Sequence, residues 1–215
     1  MRHLILQLVF LALAHAGLSQ NKWETAIRAF EKTDQQTPPP KSPIVFVGSS
    51  SFTLWKDVTA TFPDKPILNR GFGGSQLSDA LLLADRIILA YRPKQVIIYA
   101  GDNDLAVGKT PKQVHHLFVE LFQKLRQAQP DMAVAFVAIK PSPVRWKFKS
   151  KMDQTNRLIR RYIRRQTNAD FVDVVPVMLD PVSQYPIAQL FKPDSLHMNA
   201  EGYKRWAILI KPILR

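Results

Sequence analysis

The sequence predicts an α/β fold, a three-layer α/β/α sandwich built on a central parallel sheet of about five strands. From Pro43 onward, short apolar runs alternate with longer segments of helical period, the pattern of strands joined by crossover helices. No internal repeat interrupts the alternation. Small or polar clusters follow each of the first three runs, where the strands of such a sheet turn into helices and working residues collect.

Arg2 and His3 precede an apolar run from Leu4 to Ala14, and Ala14-His15-Ala16 has the small-x-small pattern of an export-signal cleavage site. The run is shorter than the roughly 20 apolar residues of a membrane span. Residues 1–16 therefore read as a signal peptide, with residue 19 as an alternative cut, and the protein is expected to be periplasmic or secreted. Residues 17–41 read as a short docking helix and a stiff linker. Trp23, Ile27 and Phe30 recur at helical spacing before Thr37-Pro38-Pro39-Pro40 stops the helix.

The remaining residues, 42–215, form the expected domain. Strands are predicted at 44–47, 66–69, 95–100, 132–139 and 171–174. The best-marked helix opens with Thr110 as N-cap, Pro111 at its first position and Gln113 closing a capping box, and its buried stripe is Val114, Leu117, Phe118, Leu121 and Leu125. A last helix is expected over 199–210.

A chain of 215 residues with 46% hydrophobic and 22% charged residues has the composition of one globular domain rather than a disordered chain. The absence of cysteine excludes disulfides, thiolate metal sites and a cysteine nucleophile. Thirty Lys and Arg against seventeen Asp and Glu give a net charge of +13, which favours anionic surfaces without naming a function.

Familiar ligand motifs fail one by one. The Gly71 cluster would need glycine at position 76 to be a dinucleotide fingerprint, and Gln76 stands there; a phosphate-binding G-x-x-x-x-G-K-[ST] is absent. Asp102-Asn103-Asp104 begins like a calcium loop, but the sharp-turn position is Val107. His115 and His116 are adjacent on a helix, about 100° apart, and cannot grip one metal.

What remains are Gly48-Ser49-Ser50-Ser51, Gly71-Phe72-Gly73-Gly74-Ser75, Gly101-Asp102-Asn103-Asp104 and the late Asp194-Ser195-Leu196-His197. A serine hydroxyl needs a base, the base needs an orienting carboxylate, and the oxyanion needs preorganised donors. His3 and His15 leave with the signal and His115 and His116 lie within a helix, so His197 is the candidate base. Taken singly, Asn103 and Gly74 read better as turn residues, and Asp194 as a cap of the last helix.

In order and spread, the four clusters resemble the blocks of the SGNH hydrolases, the GDSL-like esterase and lipase family. Residues 44–50 resemble the first block, 69–74 the second, 101–104 the G-x-N-D third block and 194–197 the D-x-x-H fifth. The resemblance implies a flavodoxin-like sandwich and an esterase with Ser50 as nucleophile, His197 as base and Asp194 as its partner. It also implies an oxyanion hole of the Ser50 N–H, the Gly74 N–H and the Asn103 amide. The family's usual aspartate before the nucleophile is Ser49 here, as in a GSSS-type subgroup, which makes Ser49 and Ser51 rivals. Strand alternation would face those two together and Ser50 the other way.

The expected substrate is a carboxylic ester with a short acyl group, such as acetyl on a saccharide or lipid, since no long insertion between the clusters resembles a lid. Arg145 and Trp146, in the segment after the fourth strand, are candidate substrate-binding residues, Trp146 by stacking. The reading requires no cofactor and no metal. Between 145 and 165 there are nine basic residues and one acid, and Arg157, Arg160, Arg161 and Arg164 share one helix face, a solvated surface or a contact for an anionic polymer or headgroup. No nucleic-acid partner is expected. The rival reading is a non-catalytic polyanion- or glycan-binding protein on the same scaffold.

Overall fold

The computed structural model describes residues 22–215, so the signal-peptide expectation lies outside the described residues. The chain divides into two compact units between Pro38 and Pro39. Within the first, helix α1 spans Glu24–Gln36 and ends just before the proline run, where no further backbone donors are available to continue it.

The second unit is built on five parallel strands in the order β2-β1-β3-β4-β5. They are β1 (Ile44–Gly48), β2 (Ile67–Gly71), β3 (Gln95–Tyr99), β4 (Ala133–Val137) and β5 (Ala169–Val172). Every residue of β1, β3 and β4 is buried, as expected of strands covered on both faces. Helices α2 (Ser50–Thr53) and α3 (Val58–Thr61) follow β1, and α4 (Leu77–Ile87) follows β2. Beyond β3 come α5 (Asp102–Ala106) and α6 (Pro111–Ala128), then α7 (Lys149–Ile163) after β4, and α8 (Val175–Met178) and α9 (Ala200–Ile210) after β5.

Alternation along the strands assigns the two covering layers. On one face Phe46, Tyr99 and Val137 join Phe52, Trp55 and Trp206 in a cluster of buried rings, with Tyr99 and Trp206 centroids 4.9 Å apart. On the other, Phe136 meets Phe118 of α6 edge-on at 5.0 Å, and Tyr162 of α7 closes on Phe122 at 5.4 Å. The α6 stripe differs from expectation in one place: Phe122 is buried, while Leu117 is half-buried.

The fifth strand lies two residues earlier than predicted. Asp173 accepts from the Val175 N–H and pairs with Arg160, turning the chain into α8, and Ala169 and Asp170 pair with β4 in its place. Asp170 is tolerated there because β5 is an edge strand, and Arg215 meets its carboxylate at 3.2 Å. The capping box of Thr110 and Gln113 forms as predicted, and α9 starts on Asn199, whose side chain accepts from the N–H groups of Glu201 and Gly202.

Candidate active site

Strand register brings the first three clusters together. Gly48 at the end of β1 pairs with Gly71 of β2 on one side and Tyr99 of β3 on the other, so three carboxyl ends lie level. The fit leaves no room for a side chain at 48. A Cβ there would stand 1.8 Å from the Tyr99 carbonyl oxygen, and φ is +143°. The strand stops at Gly48, and Ser49 occupies the N-cap position of the short α2.

Ser50 opens that helix. Ser49 and Ser51 are both buried while Ser50 is half-exposed, so one of the three neighbouring hydroxyls faces out. The reason is a strand-to-helix elbow rather than the strand alternation expected from the sequence. The Ser50 hydroxyl donates to His197 Nε2 at 2.9 Å, and His197 Nδ1 donates to Asp194 Oδ2 at 2.7 Å, a tautomer assigned from its carboxylate contact.

Asp194 builds its own turn. Its Oδ1 accepts from the Leu196 and His197 N–H groups, both at 2.9 Å, so Asn199 rather than Asp194 caps the last helix. Those bonds, led by the His197 N–H, hold the carboxyl well below the usual aspartate range. Ser195 takes φ +56°, a left-handed conformation costly for a residue with a Cβ, to complete the turn.

The other two clusters close around the hydroxyl. A Cβ built on Gly73 would lie 3.9 Å from the Ser50 Cβ, and Gly74 takes φ +80° in the same turn. Asn103 Nδ2 donates to the Ser75 carbonyl at 2.9 Å, and Asp104 accepts from the Leu77 N–H at 3.1 Å, tying the second and third clusters together.

Arg145, a candidate substrate-binding residue, is anchored on the third cluster. Its Nη2 donates to Asn103 Oδ1 at 3.0 Å and its Nη1 pairs with Asp102 at 2.8 Å, so the guanidinium orients the Asn103 amide from behind. Trp146 lies half-buried beside it, its ring 5.0 Å from that of Tyr185, which is itself exposed. The His197 and Asp194 side chains are accessible, at 25% and 47%. The arrangement therefore offers an activated hydroxyl, a base with its carboxylate and nearby amide donors, open to solvent.

The profile of the GDSL-like Lipase/Acylhydrolase family matches residues 46–205, which include all four clusters. The chain belongs to that family. It is a carboxylic ester hydrolase. Among solved structures it is similar to a GDSL-like lipase from Bacteroides thetaiotaomicron, at 20% identity and TM-score 0.73 over 86% of this chain and 95% of that one. A protein from Streptococcus pneumonia described as a platelet activating factor matches at 19% identity and TM-score 0.78, covering 95% and 99%. An acetyl esterase with a bound acetate ion matches at 16% identity and TM-score 0.62, covering 80% and 95%. These likenesses carry the fold. No curated protein matches the chain.

Three contributors near the site had no role assigned from the sequence: Asp102, Lys140 and Tyr185. Lys140 had a visible signal, a lysine continuing the apolar run 132–139 with no polar neighbour to expose it. Asp102 and Tyr185 become relevant only through partners distant in the chain.

Proposed function

We propose that this acylhydrolase works through a Ser50-His197-Asp194 triad on short acyl esters, such as acetyl groups of a saccharide or lipid, outside the cytoplasm. The observation that carries the triad is the continuous hydrogen-bonded chain from hydroxyl to imidazole to carboxylate. His197 Nε2 takes the proton as Ser50 Oγ attacks the ester carbonyl, and Asp194 stabilises the imidazolium. The Ser50 and Gly74 N–H groups and the Asn103 amide hold the oxyanion. His197 then protonates the departing alkoxide, and water, activated by the same base, releases the acid from Ser50.

The open setting of His197 and Asp194 supports a small or externally presented acyl group over a long buried chain. The Trp146 and Tyr185 rings, beside the Arg145 that touches Asn103, supply a stacking surface suited to a sugar face. Export rests on the 1–16 segment, and a mature N-terminus beginning after residue 16 or 19 is the expected result of N-terminal sequencing. Arg157 and Arg161 on α7 and Arg164 at its C-cap are exposed and support an anionic surface partner, whereas Arg160 is paired with Asp173.

The decisive test is turnover of p-nitrophenyl acetate and a panel of acetylated sugars, with Ser50→Ala beside the parent. The variant should lose hydrolysis and fluorophosphonate labelling together. A parent protein that neither turns over esters nor labels would favour the non-catalytic glycan-binding reading.

A further inference from the structure

Behind the triad lies a charge that the hydrolytic mechanism does not use. Lys140, three residues past β4, is 1% exposed, and its Nζ donates to the Leu196 carbonyl at 2.8 Å. The peptide unit joining Leu196 to His197 is thereby held at both ends. Its carbonyl accepts from Lys140, and its N–H donates to Asp194 Oδ1.

We propose that Lys140 is a positioning residue for catalysis, its buried ammonium locking the 194–197 turn so that the His197 ring meets Ser50 in the productive orientation. The proposal rests on the triad reading above. It follows from geometry: rotation of that one peptide plane would move the Asp194 acceptor and the His197 ring together, and an ångström of misplacement costs about 100-fold in rate.

A buried lysine is an expensive way to hold a carbonyl, and its surroundings explain why the charge persists. Asp102 from α5 and Asp194 from the turn favour the cation, and Arg145 from the segment before α7 opposes it. His197 shares the turn, the Tyr99 phenol lies buried against the Lys140 backbone, and the Phe191 ring centroid is 5.4 Å from Nζ. Burial dominates and brings the ammonium down to about 8. The positioning charge is therefore lost on the alkaline side of neutrality. A passive packing lysine would leave the rate indifferent to that titration.

The test compares the parent and Lys140→Met, which fills the same slot without charge or donor, by pH-rate profiles for p-nitrophenyl acetate and fluorophosphonate labelling, with Ser50→Ala as control. The expected parent profile has an alkaline limb near pH 8. Lys140→Met should lower kcat about 10- to 100-fold with little change in KM, and lose that limb. Lysine Nζ resonances of the parent, followed by NMR, should show a buried ammonium titrating in step with the limb. Full kcat in the Met variant, or a parent profile flat from pH 7 to 10 while one lysine titrates, would overturn the proposal and leave the triad standing. Activity surviving in Ser50→Ala would instead remove the triad reading itself.

Discussion

The two halves of the site are held by different kinds of force. The hydroxyl half, Ser50 with the glycine turn and the third cluster, hangs from the level carboxyl ends of β1, β2 and β3, whose residues are mostly buried in the core. The imidazole half is a four-residue turn outside the sheet, held by the two Asp194 N–H bonds, the Lys140 bond and a left-handed Ser195. Packing is diffuse and cooperative, whereas each of those polar bonds is singular. The Ser50 side should therefore be as robust as the fold, and the His197 turn should fail by local change.

Substitutions can break that contrast in order of effect. Gly48→Ala forces a Cβ onto the Tyr99 carbonyl and should destroy fold and activity together, with a loss of more than about 4 kcal/mol in urea unfolding. A folded, active variant would contradict the tight register. Asp194→Asn should lower kcat by about 10⁴ with a nearly unchanged melting temperature, because it spoils the tautomer and not the core. Asn103→Ala should cost about 10²- to 10³-fold in kcat, and circular dichroism should report an intact sheet.

Acid and base sharpen the comparison with smaller effects. Asp194 is ionised well below the ordinary value of 3.8, so its turn should persist at that pH and be lost only as pH falls through the depressed value. An inflection of its carboxyl carbon at 3.8 in an NMR titration would refute this. Lys140 behaves oppositely. Between about 8 and 10.5 the unfolded chain carries a proton that the folded chain lacks, so stability relative to Lys140→Met should rise with pH across that window. Denaturation at pH 7.5 and 10 measures it. Activity and stability would then pull in opposite directions at one residue.

Much of this was legible along the chain because it is local. Apolar runs marked the strands, Thr110 and Pro111 marked a helix start, and four clusters carried the resemblance to a hydrolase family. Where the reading slipped, a long-range partner decided. The fifth strand begins at Ala169 because β4 supplies the ladder, although Asp170 breaks the apolar pattern. Arg145 likewise reaches Asp102 and Asn103 through contacts spanning some forty residues of sequence, which no local pattern shows.

The sequence by itself determined the alternation of elements, the glycines its turns require and the residue types available for ester chemistry, since propensity, periodicity and backbone freedom act over a few neighbours. Only the tertiary structure decided that the late histidine lies 2.9 Å from the Ser50 hydroxyl, and that a lysine is buried beneath their turn. Those outcomes depend on strand register and on desolvation, and both are properties of the assembled sheet and its covering layers.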